Sequence, residues 1–252
     1  MKPNKRQLVW QSYRNYKMLA FVPRAGYGSC GIYPYDFDHR KWEAGDEIVR
    51  PESDLEHTAG IMHLARAISW HYPEIIPPEQ LGDFLFGAEI HELGELIEGD
   101  TLDDGTRNDE EKDFFEGNEI RKFLYKYAEY NDYRRGLELY EQMRDKNTEF
   151  GQTLYFLDKL EAVLQAGLYE SLGHPGLLSE KKRLFGSMSK RDEKYSAAVK
   201  SDNIFDTWAY ILVVKMKELD YKYANIFASI VTEAAIDIRK KPFSWIEFTE
   251  NS

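Results

Sequence analysis

The stretch Glu89–Asp100 reads Glu-Ile-His-Glu-Leu-Gly-Glu-Leu-Ile-Glu-Gly-Asp, and it puts ionisable groups where a helix should be apolar. In a helical register Phe84, Ala88, His91, Glu92 and Glu95 fall at i, i+4, i+7, i+8 and i+11, which is one face. The stripe therefore starts as core and is interrupted by an imidazole and two carboxylates. Burying such groups is costly unless they are paired or bind a metal. A fold that accepts this stretch has to bring complementary groups to it from elsewhere in the chain.

The rest of the chain supplies candidates. Ser53-Asp-Leu-Glu56 is a capping-box pattern with Ser53 at the N-cap and Glu56 at N3. His57, Ile61, Leu64 and Ile68 then trace one face, so His57 heads an apolar stripe in the first turn. Tyr72-Pro73 ends this helix, Pro77-Pro78 opens the next, and Gly99 closes it with Asp100 on the turn beyond. Residues 100–118 read as a solvated acidic loop. A calcium loop is excluded because Leu102 occupies a ligand position. Residues 119–146 read as exposed helix. Phe150–Tyr169 is a more apolar helix with Leu154, Leu157, Leu160, Leu164 and Leu168 on its core side. Asp158 lies between Leu154 and Ala162 at i−4 and i+4, a poor place for an unpaired carboxylate.

The flanks are less informative. Residues 1–20 read as a short amphipathic helix, and 21–49 as an irregular, Gly- and Pro-punctuated layer with room for a minor hairpin. Residues 173–194 form a basic loop, and two helical patterns over Ile204–Leu219 and Tyr221–Lys240 complete the chain. No stretch alternates as a strand should. The expected class is all-α: a helical bundle with an irregular N-terminal loop layer and extra C-terminal helices, as a single domain over 1–252.

Charge and cysteine usage narrow the function classes. The chain carries 33 basic against 44 acidic residues, a net charge of −11. A field of that sign argues against nucleic-acid or membrane-surface partners, and leaves a small anionic substrate needing only a local Arg or Lys. The single cysteine, Cys30, cannot form an intrachain disulfide, which fits a reducing, cytoplasmic setting. The basic start at Lys2, Lys5 and Arg6 is not followed by an apolar leader segment.

His57, the adjacent His91-Glu92 pair and Asp158 thus come from three helices, each inward by pattern. Two imidazoles and two carboxylates form a sound ligand set for a divalent ion such as Mn²⁺, Co²⁺, Fe²⁺, Zn²⁺ or Mg²⁺. Singly, each has a plainer reading: a hydrogen-bonded core histidine, or an aspartate paired with Lys or Arg. Together, at these places, they favour a metal.

The order His57, His91-Glu92, Asp158 resembles the H…HD…D motif of the HD-domain metal-dependent phosphohydrolases. It is most similar to the branch containing 5′-deoxynucleotidases, whose blocks read R-x-G-W, P-E-S-V-x-E-H, H-D-x-x-E-x-x-x-G-D and D-K-L-(D/E). Here they read Arg24-Ala-Gly-Tyr27, Pro51-Glu-Ser-Asp-Leu-Glu-His57, His91-Glu-Leu-Gly-Glu95-Leu-Ile-Glu-Gly-Asp100 and Asp158-Lys-Leu-Glu161. The blocks span about residues 21–170, with 171–252 left as a C-terminal helical extension. The resemblance implies that His57, His91, Glu92 and Asp158 hold one divalent ion. It also implies that Glu95 and Asp100 are the acid–base pair and that Arg24 contacts phosphate.

Three departures accompany it. Glu92 stands where the family has Asp. Arg24-Ala-Gly-Tyr27 lies about twenty residues further from His57 than the family's spacing, which makes Arg50 the alternative phosphate contact. Tyr27 replaces the tryptophan of the first block. Between Glu92 and Asp158 there is no histidine, which favours one metal over the two-metal relatives. The expected activity is a phosphomonoesterase for nucleoside 5′-monophosphates. A phosphohydrolase or pyrophosphohydrolase on another nucleotide, or a degenerate nucleotide- or partner-binding module, are the alternatives. Homodimerisation is left open.

Overall fold

A computed structural model of the chain describes residues 53–94, 109–128, 130–171 and 204–239. Among these it is all-α, with seven α-helices, one 3₁₀ turn and no strand element. The expected N-terminal helix, the 21–49 layer and the 173–194 loop lie outside the described residues. The chain divides into two compact units. One comprises Met1–Pro23 and Ser53–Asp158, the other Arg24–Glu52 and Lys159–Ser252.

In the first unit, α1 covers Asp54–His71 and begins at the expected cap. The Ser53 hydroxyl accepts from the Glu56 backbone N–H at 3.4 Å, and the Ser53 N–H donates to Glu56 Oε2 at 3.0 Å. Two N-terminal donors that the helix cannot satisfy are thereby used. The buried stripe is His57, Ile61, Ala65 and Ile68. Leu64 is only half-buried, because it sits about 100° around the helix from Ala65 and misses the centre of the stripe. Past the Tyr72 cap, Ile75 and Ile76 plug the core from the connecting turn.

Helix α2, Leu81–His91, starts at the Gln80 cap shortly after Pro77 and Pro78. It ends earlier than the sequence suggests: a 3₁₀ turn over Glu92–Gly94 follows at once. With three residues per turn, Ile90 and Leu93 come onto one edge. Both are buried there with Ile120, Leu124 and Tyr140. The expected closure at Gly99 lies outside the described residues.

Those partners correct another expectation. Helix α3 runs Asp109–Tyr127 and α4 runs Tyr130–Arg144, so residues 109–118 are helix and not acidic loop. Nor are the two helices wholly exposed. Ile120 and Leu124, one turn apart, and the Leu139-Tyr140 pair supply enough apolar surface to dock them. Polar contacts dress the outside, with Arg121 donating to Glu141 at 2.8 Å and Arg135 reaching Asp83 of α2.

Helix α5, Glu149–Ser171, is started by Thr148, whose hydroxyl accepts from the Gly151 N–H at 3.0 Å. Its buried residues include Leu154, Phe156, Leu157, Leu160, Val163 and Ala166. Leu164 is half-buried and Leu168 is 51% exposed, so burial does not extend through the last two leucines of the expected stripe. By helical angle both stand within about 20° of the buried Leu157, so their exposure is not a matter of helical register.

In the second unit, α6 covers Ile204–Glu218 and α7 covers Ala224–Arg239. Helix α6 ends in a Schellman-type turn. The Tyr221 N–H donates to Met216 O at 2.9 Å and the Asp220 N–H to Lys217 O at 3.2 Å, with Asp220 at φ 47°. Arg239 is clamped by two carboxylates: Nε donates to Glu170 Oε1 at 2.6 Å, Nη2 to Glu170 Oε2 at 2.5 Å and Nη1 to Asp206 Oδ1 at 2.7 Å. Burial disfavours its charge, but the hydrogen bonds to Glu170 and Asp206 outweigh that and hold its pKa above the ordinary value. Among the described residues no helix is long and apolar enough to cross a membrane.

Candidate metal centre

The four residues singled out by the sequence converge in the first unit. One ligand atom from each of His57, His91, Glu92 and Asp158 lies within 4.8 Å of all the others. The capping box sets the first turn of α1, which delivers His57 at the head of its buried stripe. The end of α2 delivers His91, and the first 3₁₀ residue delivers Glu92. Helix α5 delivers Asp158 from 101 positions beyond His57.

The distances describe a tight knot. His57 Nε2 stands 2.9 Å from Asp158 Oδ1 and 3.3 Å from Glu92 Oε1. His91 Nε2 stands 3.1 Å from the same Glu92 oxygen. Glu92 therefore serves both imidazoles, although neighbouring side chains on a helix diverge by about 100°. The glutamate arm, longer by a methylene than aspartate, supplies the reach that folds it back beside His91.

The tautomer of His91 follows from its other nitrogen. Nδ1 lies 2.8 Å from the Ala88 carbonyl oxygen, one turn back, and so carries the proton and donates it there. In the neutral ring this leaves the lone pair on Nε2, which points into the cluster. Nε2 is buried and has no hydrogen-bond partner despite its nearness to Glu92, so a basic nitrogen faces an anionic oxygen without a donor in line between them. That is the orphaned contact a cation would resolve.

Geometry and charge both fit. Ligand atoms about 2.1 Å from one ion stand about 3.0–3.4 Å from one another in octahedral or tetrahedral arrangements. The closest pairs here fall in or next to that range, at 2.9, 3.1 and 3.3 Å. Two carboxylates balance a divalent charge and two neutral imidazoles complete the set. The group can hold a metal ion. Exposure is uneven: the His57 and Glu92 side chains are 0% and 4% exposed, whereas His91 and Asp158 are 18% and 17% exposed. His57 and Glu92 form the floor, and the rim at His91 and Asp158 is where solvent or a ligand meets the site.

The remaining predicted residues, Arg24, Tyr27, Arg50, Glu95 and Asp100, lie outside the described residues. Sequence reasoning missed the Ala88 carbonyl. A backbone acceptor carries no side-chain signal, although any helix that ends at a histidine has carbonyls free one turn back. No protein-family model matches the chain, and no curated protein matches it.

Proposed function

We propose that the chain is a divalent-metal-dependent phosphohydrolase acting on nucleoside 5′-monophosphates. The observation that carries this reading is the His57, His91, Glu92 and Asp158 cluster, a balanced ligand set in which His91 and Asp158 are partly exposed. The order of the four sequence blocks supports the substrate class. A divalent ion at such a site lowers the pKa of water and offsets the charge of a phosphate oxygen.

The chain's own residues divide the remaining work. His57, His91, Glu92 and Asp158 hold the ion, with His91 aimed by the Ala88 carbonyl. Glu95 accepts the proton of the attacking water as its oxygen bonds to phosphorus. Asp100 gives a proton to the nucleoside 5′ oxygen as the P–O bond breaks. By the same resemblance, Arg24, or Arg50 in its place, is the proposed phosphate contact through paired N–H donors, and Tyr27 the proposed nucleoside contact. Mn²⁺, Co²⁺, Fe²⁺, Zn²⁺ and Mg²⁺ all suit a mixed imidazole and carboxylate site, the imidazoles favouring Fe²⁺ and Zn²⁺ and the carboxylates Mn²⁺ and Mg²⁺.

A phosphate-release screen over nucleoside 5′-monophosphates, cyclic dinucleotides and nucleoside triphosphates tests the reading, each with metal and with chelator. Metal-dependent release from monophosphates is expected. Cleavage confined to triphosphates or diesters would move the substrate class, and no release from any of them would leave a binding module.

A further inference from the structure

Helix α2 contains two glycines in very different surroundings. A Cβ at Gly82 would meet nothing within 4 Å. A Cβ at Gly87 would fall 2.8 Å from Leu154 Cδ2 and 3.6 Å from Phe150 Cζ, both on α5. Gly87 is itself buried, in the interior of an 11-residue helix, where glycine is a weak choice relative to alanine. Leu154 is 3% exposed, so its δ carbons can give way only by repacking within the core.

The position of this contact gives it a consequence for the metal centre. Gly87 precedes His91 by four residues, and Leu154 precedes Asp158 by four residues. Further back, the rings of Phe84 and Phe150 pack with centroids 4.6 Å apart. The contacts between α2 and α5 thus advance together from Phe84–Phe150 through Gly87–Leu154 to the site where His91, Glu92 and Asp158 meet. Of the three levels, only the middle one has a residue without a side chain.

We infer that Gly87 is a positioning residue for the metal centre: by letting Leu154 pack against bare α2 backbone, it sets how closely Asp158 approaches His91 and Glu92. The inference rests on the metal-binding reading above but not on the substrate. A methyl at position 87 would press on the Leu154 side chain one turn below the site, and in a close-packed interior that pressure passes to α5. Asp158, whose ligand oxygen now lies within 4.8 Å of those of His91 and Glu92, would then withdraw by a few tenths of an ångström, enough to disturb a coordination shell whose bond lengths are fixed within about 0.2 Å.

The test uses the full chain, stripped of metal, with Mn²⁺ affinity and the visible spectrum of the Co²⁺-loaded protein as readouts. Gly87→Ala is expected to weaken Mn²⁺ binding by about tenfold or more, the range for disturbed ligand orientation, and to alter the Co²⁺ spectrum. Adding Leu154→Val, which removes the δ carbons, should restore both, while Gly82→Ala and Leu154→Val alone stay near wild type. Wild-type affinity in Gly87→Ala, or a loss that Leu154→Val does not repair, overturns the inference. Should Gly87→Ala lose helicity, the double variant decides in the same way: recovery of fold and Mn²⁺ binding supports the contact, and failure to recover overturns it. Absence of Mn²⁺ and Co²⁺ binding in the wild type would sink the metal reading itself and this inference with it. Binding by wild type and Gly87→Ala alike would sink the inference alone.

Discussion

His57 Nε2 and Asp158 Oδ1, 101 positions apart in sequence, meet at 2.9 Å, and this contact ties the first turn of α1 to the middle of α5. The two residues share their neighbourhood with a second carboxylate, Glu92, on a floor that solvent does not reach. Asp158→Asn preserves the shape and an oxygen acceptor for His57 but removes one negative charge. Metal affinity should fall by about 10–100-fold while the circular dichroism spectrum stays that of the wild type. Isothermal titration with Mn²⁺ on both proteins measures this, and equal affinities would remove Asp158 from the ligand set.

Glu92 is the second case, because its Oε1 lies within 3.3 Å of both imidazole Nε2 atoms. Glu92→Ala deletes that oxygen and should cut metal affinity sharply. Glu92→Asp keeps the charge but shortens the arm by about one bond, so it should bind more weakly than wild type and shift preference among Mn²⁺, Co²⁺ and Zn²⁺. Titration of all three ions into the three proteins checks the order. An aspartate variant that binds better than wild type would mean that Glu92 is misplaced in the native site.

How much of this was legible in the sequence differs by element. The Ser53 cap, the α1 start and the inward placement of His57 were readable because capping chemistry and a four-residue spacing act locally. Convergence of His57, His91, Glu92 and Asp158 was readable from cost: each ionisable group on an apolar face demanded a partner, and the cheapest partners were one another. The early end of α2 at His91 was not readable, because it follows from Leu93 reaching Ile120 and Tyr140, a tertiary demand. The helical character of residues 109–118 was hidden in the same way, since an acidic composition conceals a helix docked through only a few apolar residues further along. Leu164 and Leu168 misled because helical periodicity fixes a face and not how far along it the core extends. The Gly87–Leu154 contact left only a faint trace, a glycine inside a helix.

Asp220 gives a stability prediction away from the site. It occupies a left-handed conformation at φ 47°, where glycine carries no Cβ penalty. Asp220→Gly should raise unfolding stability by about 1 kcal/mol, read as a shifted midpoint in chemical denaturation with an unchanged slope. A destabilised variant would show that the aspartate side chain contributes more than its backbone strain costs.

Arg239 gives the opposite sign. Its side chain, 15% exposed, places the guanidinium against Glu170 and Asp206 together. Arg239→Met keeps much of the packing against Phe205 but takes the guanidinium away from two largely buried carboxylates. The expected loss is about 3 kcal/mol. Replacing Glu170 and Asp206 as well, by Gln and Asn, should recover part of it. Denaturation midpoints across the set measure this, and a neutral Arg239→Met would show the clamp to be energetically idle.

The central claim is that one divalent ion belongs to His57, His91, Glu92 and Asp158. Elemental analysis of protein purified without chelator, followed by equilibrium dialysis of stripped protein against Mn²⁺, tests it most directly. The account predicts one tightly held ion per chain, lost when His57 and Asp158 are replaced together by Ala and Asn. A wild-type protein that holds no ion above background, or one whose ion survives that double replacement, would contradict it.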